Sequence, residues 1–123
     1  MKIISFTKAI WRALWLLGVA SVSSAVFADV PVGRYFELKK SQPSFADYLT
    51  GIGRGVFWAN TVLEVNNQKT LFCMPNNLSL DKGIILSLID QEIRSPSSGR
   101  QWKEDTPVEL IMVVAFQKRF PCK

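Results

Sequence analysis

Six apolar residues, Phe45, Leu49, Ile52, Val56, Ala59 and Leu63, recur at spacings of 4, 3, 4, 3 and 4. Only a helix, with about 3.6 residues per turn, gathers such a row onto one side. The middle of this chain is therefore committed to a long amphipathic helix. Ser44 is placed to serve as its N-cap, with Asp47 at the third helical position to answer it, and Asn66-Asn67 closes the stretch. A second row, Gly51, Gly55 and Ala59, runs beside the first at spacings of 4. Glycine costs about 1 kcal/mol in a helix interior, so this row predicts close packing of another backbone against it. Phe57 and Trp58 lie off the main stripe, which makes this helix apolar on more than one side and the expected central element.

Two more helices follow. Ser79 can cap one that runs to about Arg94, with apolar rows Leu80/Ile84/Leu88 and Ile85/Ile89/Ile93. Thr106-Pro107-Val108-Glu109 combines a capping box with proline at the first helical position. The seven apolar residues Leu110 to Phe116 fit a buried strand on periodicity alone, but the capping signal and the polar Gln117-Lys118-Arg119 favour a buried helix. Lys69 to Pro75 reads as extended, because Pro75 disfavours helix at Met74. Asp29 to Gln42 promises no more than a helical turn or two at its centre. The expected fold is all-α: a small single-domain bundle of three main helices, with room for a short N-terminal fourth, and one disulfide.

The first 28 residues read as an address rather than as structure. Lys2, Lys8 and Arg12 precede an apolar run, Ala13 to Ala20, with no acidic residue before Asp29, and Val26-Phe27-Ala28 places small residues at the cleavage-defining positions. That layout is a secretory signal peptide, with cleavage expected between Ala28 and Asp29. Only 16 uncharged residues separate Arg12 from Asp29, several of them serine, which falls short of the roughly 20 apolar residues of a membrane span. Processing leaves 95 of the 123 residues, with 12 of the 15 basic residues against all 10 acidic ones, so the net charge falls from +5 to +2. The remaining Arg and Lys are scattered among Asp and Glu, and no clustered basic face for nucleic acid is expected. Two domains are excluded by length; one domain of this size buries roughly 60 to 65% of its unfolded surface. The expected location is the periplasm, with no membrane attachment after processing.

Cys73 and Cys122 both fall after the leader, and two cysteines in an exported chain most simply form one disulfide. Pro121 ends the last helix and returns Cys122 toward Cys73. There is no histidine anywhere, which removes the usual triads, the Cys–His pair and nearly all zinc sites. Asp81, Asp90 and Glu92 suggest an acid/base pair only superficially, since helix-surface carboxylates are usually solvated charges. Gly51-Ile52-Gly53-Arg54-Gly55 imitates a phosphate loop, but it lies within a helical stripe and lacks the Gly-Lys-Ser/Thr ending. No catalytic, cofactor-binding or metal-binding residue is expected, and no enzyme.

Three motifs together resemble a family. Tyr48-Leu49-Thr50-Gly51-Ile52-Gly53-Arg54-Gly55, then Leu71-Phe72-Cys73-Met74-Pro75, then Phe120-Pro121-Cys122 are similar to the Rap/Tai-type immunity proteins of type VI secretion systems. The resemblance covers about Phe45 to Cys122. It implies a small periplasmic all-helical protein that binds and inhibits a peptidoglycan-cleaving amidase toxin, and it implies Cys73 and Cys122 as the family's disulfide pair. The further cysteines that several relatives carry before and within the first helix are missing here. The competing reading is an HdeA-like periplasmic acid-stress chaperone. It is disfavoured by strongly apolar helices in which titratable groups are few: 22 of the 95 residues after the leader are Asp, Glu, Lys or Arg. An exported lipid- or peptidoglycan-binding accessory protein is a third.

The polar connector Ser95 to Asp105 is the candidate binding segment. It holds Trp102 next to Arg100, Gln101, Lys103 and Glu104, and Trp and Arg are the commonest interface anchors. The rival reading folds Trp102 back over the core and leaves the rest a solvated linker. The residues alone favour that rival, since a single aromatic in a loop is more often packing; the resemblance weighs equally on the side of recognition, because relatives block the toxin's groove with a protruding loop. The expected partner is thus a cognate amidase toxin, with a homodimer left open.

Overall fold

The computed structural model describes residues 29–123; the expected leader, Ala28 included, lies outside the described residues. Four helices follow one another among the described residues: α1 (Val32–Ser41), α2 (Pro43–Val65), α3 (Lys82–Arg94) and α4 (Val108–Arg119). Among the described residues the one β feature is an isolated bridge between Pro31 and Pro107. The class is all-α in one small domain, closed by a disulfide between Cys73 and Cys122 whose Cα atoms lie 4.9 Å apart.

The N-terminal segment is more ordered than its charged sequence suggests. Val32, Tyr35 and Leu38, spaced by three, are all buried and turn α1 into a full helix. Pro43 separates it from α2: the residue before a proline is pushed out of helical geometry, and Gln42 is extended (φ −128°, ψ 100°). Proline at the first turn then opens α2, as its missing N–H costs nothing there. Ser44 therefore lies inside the helix and does not cap it. Asp47, expected to complete that cap, instead pairs with Lys82 of α3 on the surface.

α2 packs against each of the other three helices. Its buried residues are Phe45, Leu49, Thr50, Gly53 and Asn60. Gly51, Gly55 and Ala59, expected at a close helix contact, are exposed, and a Cβ added at Gly51 or Gly55 meets nothing within 4 Å. The close approach is at Gly53, where a Cβ would come within 2.8 Å of Ile85 Cδ1. Two residues along a helix is a rotation of roughly 200°, so the glycine between the expected pair faces the opposite way. Beyond Gly53 the helix draws away from the core: Val56 and Phe57 are only partly buried against it, and Trp58, Val62 and Val65 are exposed.

Asn60 compensates for that departure. Its buried side chain accepts from Leu71 N (2.7 Å) and Phe72 N (3.2 Å) and donates to the Phe72 carbonyl (2.9 Å). The segment is thereby held without a strand partner, and Phe72 packs edge-on against Phe116 of α4, ring centroids 5.3 Å apart. Cys73 N then donates to the Phe120 carbonyl at 2.8 Å, which brings the two cysteines together.

The caps differ from expectation. The N-cap of α3 is Asp81, whose carboxylate accepts from Ile84 N at 2.8 Å, and Ser79 stands before the helix. α4 begins after Pro107, with no side-chain cap. Glu109 does not turn back toward Thr106 as the capping box required; its Oε1 accepts from Tyr48 Oη at 2.8 Å. The apolar run Leu110 to Phe116 is helical, with Ile111, Met112, Ala115 and Phe116 buried.

Candidate functional site

The connector between α3 and α4 is fastened at both ends. At its start, Glu92 on α3 is 1% exposed. Its Oε1 accepts from Ser97 N and its Oε2 from Ser97 Oγ, both at 2.7 Å. Lys118 of α4 stands 3.6 Å from Oε2 and donates to the Ser95 carbonyl at 2.9 Å. A buried carboxylate is costly unless paired and hydrogen-bonded, and here both conditions are met by residues that define the loop. A turn follows, closed by Gly99 N to the Pro96 carbonyl at 3.0 Å. Gly99 has φ +70°, a conformation that glycine adopts without a Cβ clash.

At its far end the connector supplies carbonyls to the start of α1. Val32 N donates to Thr106 O (2.9 Å) and Gly33 N to Glu104 O (3.0 Å). Pro31 stands at the N-cap and offers no side-chain hydrogen bond, so the connector satisfies donors that a helix start otherwise leaves orphaned.

Between these fastenings the candidate residues divide. Trp102 is half-buried, packs against the core, and donates through Nε1 to the Glu92 carbonyl at 3.2 Å. Arg100, Gln101, Lys103 and Glu104 are exposed. The tryptophan is thus a pin for the loop, and four polar side chains are displayed around it.

The three carboxylates that suggested acid/base chemistry are each occupied structurally. Asp81 caps α3. Asp90 accepts from Tyr35 Oη at 2.6 Å and pairs with Lys39. Burial, and then the hydrogen bond and charge of Asp90, push the Tyr35 phenol far above its ordinary range. Glu92 is not a solvated surface charge at all. Among the described residues no group of His, Cys, Asp or Glu is arranged to hold a metal ion, and no helix is long and apolar enough to cross a membrane.

A second surface was not legible as a site. Trp58, Val62, Val65 and Leu71 are exposed around the outer half of α2, and Trp58 also borders a shallow groove with Phe57, Met74 and Leu78. The signal available was Trp58 standing off the main apolar stripe. The chain matches no family model, no curated protein and no solved structure.

Proposed function

We propose that this protein is a periplasmic immunity protein, exported with a leader cleaved between Ala28 and Asp29, that binds and inhibits a peptidoglycan-cleaving amidase of a type VI secretion system. The observation that carries the reading is the junction at Cys73 and Cys122: the Cys73-Met74-Pro75 segment ahead of α3 is fastened to the terminal Phe120-Pro121-Cys122. That is the pairing the motif resemblance implies, in an all-helical chain of the implied size. The connector supports the same reading. Loops held on a rigid scaffold carry recognition at little ordering cost, and this loop displays Arg100, Gln101, Lys103 and Glu104 from two fixed ends. Inhibition of this kind needs a shaped surface and no catalytic group.

The test is direct. The neighbouring gene is read for a small amidase, the processed chain is added to that enzyme, and release of soluble peptide from purified peptidoglycan is followed. Stoichiometric inhibition is expected. An amidase that runs at full rate in excess of the chain sinks the proposal.

A further inference from the structure

Glu109 sits where the chain begins its fold. Its Oε1 accepts from Tyr48 Oη at 2.8 Å and from Val30 N at 3.3 Å. Its Oε2 is buried and has no hydrogen-bond partner, a costly condition for a carboxylate oxygen. No Lys or Arg among the described residues forms an ion pair with it. Val30 is locked in place because its carbonyl accepts from Val108 N at 2.8 Å, one residue before Glu109. The residue next to Val30 is Asp29, the first residue after the expected cleavage point.

We infer that the α-ammonium created at Asp29 by leader removal is the missing partner of the buried Glu109 carboxylate, so that processing completes the fold. The inference rests on the cleavage position given under the proposed function. Hydrolysis of the Ala28–Asp29 bond consumes one water and leaves a carboxylate on Ala28 and an ammonium on Asp29; a leader peptidase is the catalyst. Before cleavage, Asp29 offers only a neutral amide N–H, and a charged donor to a carboxylate is roughly twice as strong. Consecutive Cα atoms lie about 3.8 Å apart, so the Asp29 nitrogen stands one residue's length from Val30 N, which itself donates to the carboxylate at 3.3 Å.

A second observation concerns Asp29 itself. Its φ is +46°, in the left-handed region that a non-glycine residue adopts at a cost. That torsion is defined by the carbonyl carbon of residue 28, so cleavage abolishes it and leaves the new ammonium free to turn its N–H donors about the N–Cα bond. The charge of Asp29 also acts on Tyr48, whose phenol is pushed up to about 12 by burial first, then by the hydrogen bond and charge of Glu109, with Asp29 adding to them. Two carboxylates therefore share one corner. The charged residues nearest in sequence to those that meet at this corner are Arg34 in the first turn of α1, Asp47 beside Tyr48 on α2, and Glu104 and Asp105 on the connector; Asp47 is paired with Lys82. The remaining charges of these elements are Glu37, Lys39 and Lys40 on α1, Arg54 and Glu64 on α2, Arg100 and Lys103 on the connector, and Lys118 and Arg119 at the far end of α4.

The sign of the pH effect follows. A free α-amino group titrates near 7.7 to 8.0, and a carboxylate partner raises that value in the folded chain. The stabilisation is complete below the unfolded value and is lost as pH rises through the folded one.

The experiment uses residues 29–123 released from a fusion by a protease that leaves Asp29 as the terminus, so pairing is tested whatever site the cell cleaves. The α-amino pKa is read by NMR from the Asp29 α-proton. It is expected to lie about one unit or more above that of Glu109→Gln, and the melting temperature is expected to fall between about pH 7.5 and 9.5. Acetylating the Asp29 amine should lower the melting temperature at pH 7 and flatten its fall, a readout that survives if Glu109→Gln fails to fold. An α-amino pKa near 7.7 to 8.0 in the unmodified chain, or a pH profile indifferent to acetylation, overturns the pairing. Intact mass of the exported protein checks the processing separately: a start at any other residue overturns the proposal through the cleavage reading alone.

Discussion

Glu92 holds Ser97 with both carboxylate oxygens, 2.7 Å to the backbone N–H and 2.7 Å to the hydroxyl. A side chain buried on α3 thereby fixes the first turn of the loop that leaves it, and the same residue's carbonyl receives Trp102 from the other side of that loop. One residue thus holds the connector at two points, Ser97 and Trp102.

Glu92→Ala should lower stability by about 2 to 3 kcal/mol, because two hydrogen bonds to a charged acceptor are lost and Ser97 and Lys118 lose their partner. Lys118 is 42% exposed and can turn to water, which keeps the cost below that of stranding a fully buried charge. Urea denaturation gives the stability. Amide exchange should accelerate at residues 97–102 more than in α2; unchanged exchange there would mean the carboxylate does not hold the loop.

Gly51→Ala and Gly55→Ala should each stabilise the protein by about 0.5 to 1 kcal/mol, since both positions are helical and open. Gly53→Ala gains the same helix preference but drives a Cβ to within 2.8 Å of Ile85 Cδ1, in a fully buried contact. Overpacking costs about 1 to 3 kcal/mol, so the net change should be a loss of about 1 kcal/mol. Ile85→Val, which removes Cδ1, should rescue part of that loss when combined with Gly53→Ala. Additive effects in the double variant would count against the contact.

These glycines show what could be read from sequence. Helix class and approximate extent were legible, because periodicity is a local property that tertiary packing rarely overturns over several turns. The face of α2 was not, because its first two stripe residues, Phe45 and Leu49, are shared with the buried row that continues through Gly53 and Asn60. Caps failed where two oxygens competed: Asp81 lies two residues beyond Ser79 and takes Ile84 N. α1 was hidden by its charges, although Val32, Tyr35 and Leu38 repeat at three. For Glu92 the sequence does carry a signal. It lies seven residues after Ile85 and three after Ile89, on the buried face, where a carboxylate needs partners. That those partners come from Ser97 and Lys118 is a tertiary fact no spacing contains.

Cys73→Ser should lower stability by about 2 to 5 kcal/mol, the range for releasing a native bridge in a small exported domain. The closed loop spans a sequence separation of 49, for which chain entropy gives about 4 kcal/mol. The Cys73→Ser/Cys122→Ser double variant should match the single one, because either change removes the same constraint. Chemical denaturation of all three proteins decides this, and a double variant much weaker than the single one would point to a further role for one of the thiols.

The displayed and the pinned residues of the connector should separate cleanly. Arg100 is exposed, and its donor contact with Ser98 is a local one made by its backbone. Arg100→Ala should therefore leave the melting temperature within about 1 °C, since surface changes away from special features stay near zero. Under the proposed function it should cost about 1 to 3 kcal/mol of affinity for the amidase, the usual effect of truncating an interface arginine. Trp102→Ala is a different experiment. Its ring lies on the core and its Nε1 donates to the Glu92 carbonyl, so truncation should cost about 1 to 3 kcal/mol of stability by cavity formation and an unpaired carbonyl. Binding should fall too, through a loosened loop, and the loss should be largest in the dissociation rate as the ordering cost moves into the complex. Calorimetry at a temperature where both variants are fully folded separates the two effects. If Arg100→Ala binds like the parent while Trp102→Ala loses affinity only in proportion to its unfolded fraction, the connector is a packed linker and the recognition surface must be sought around Trp58.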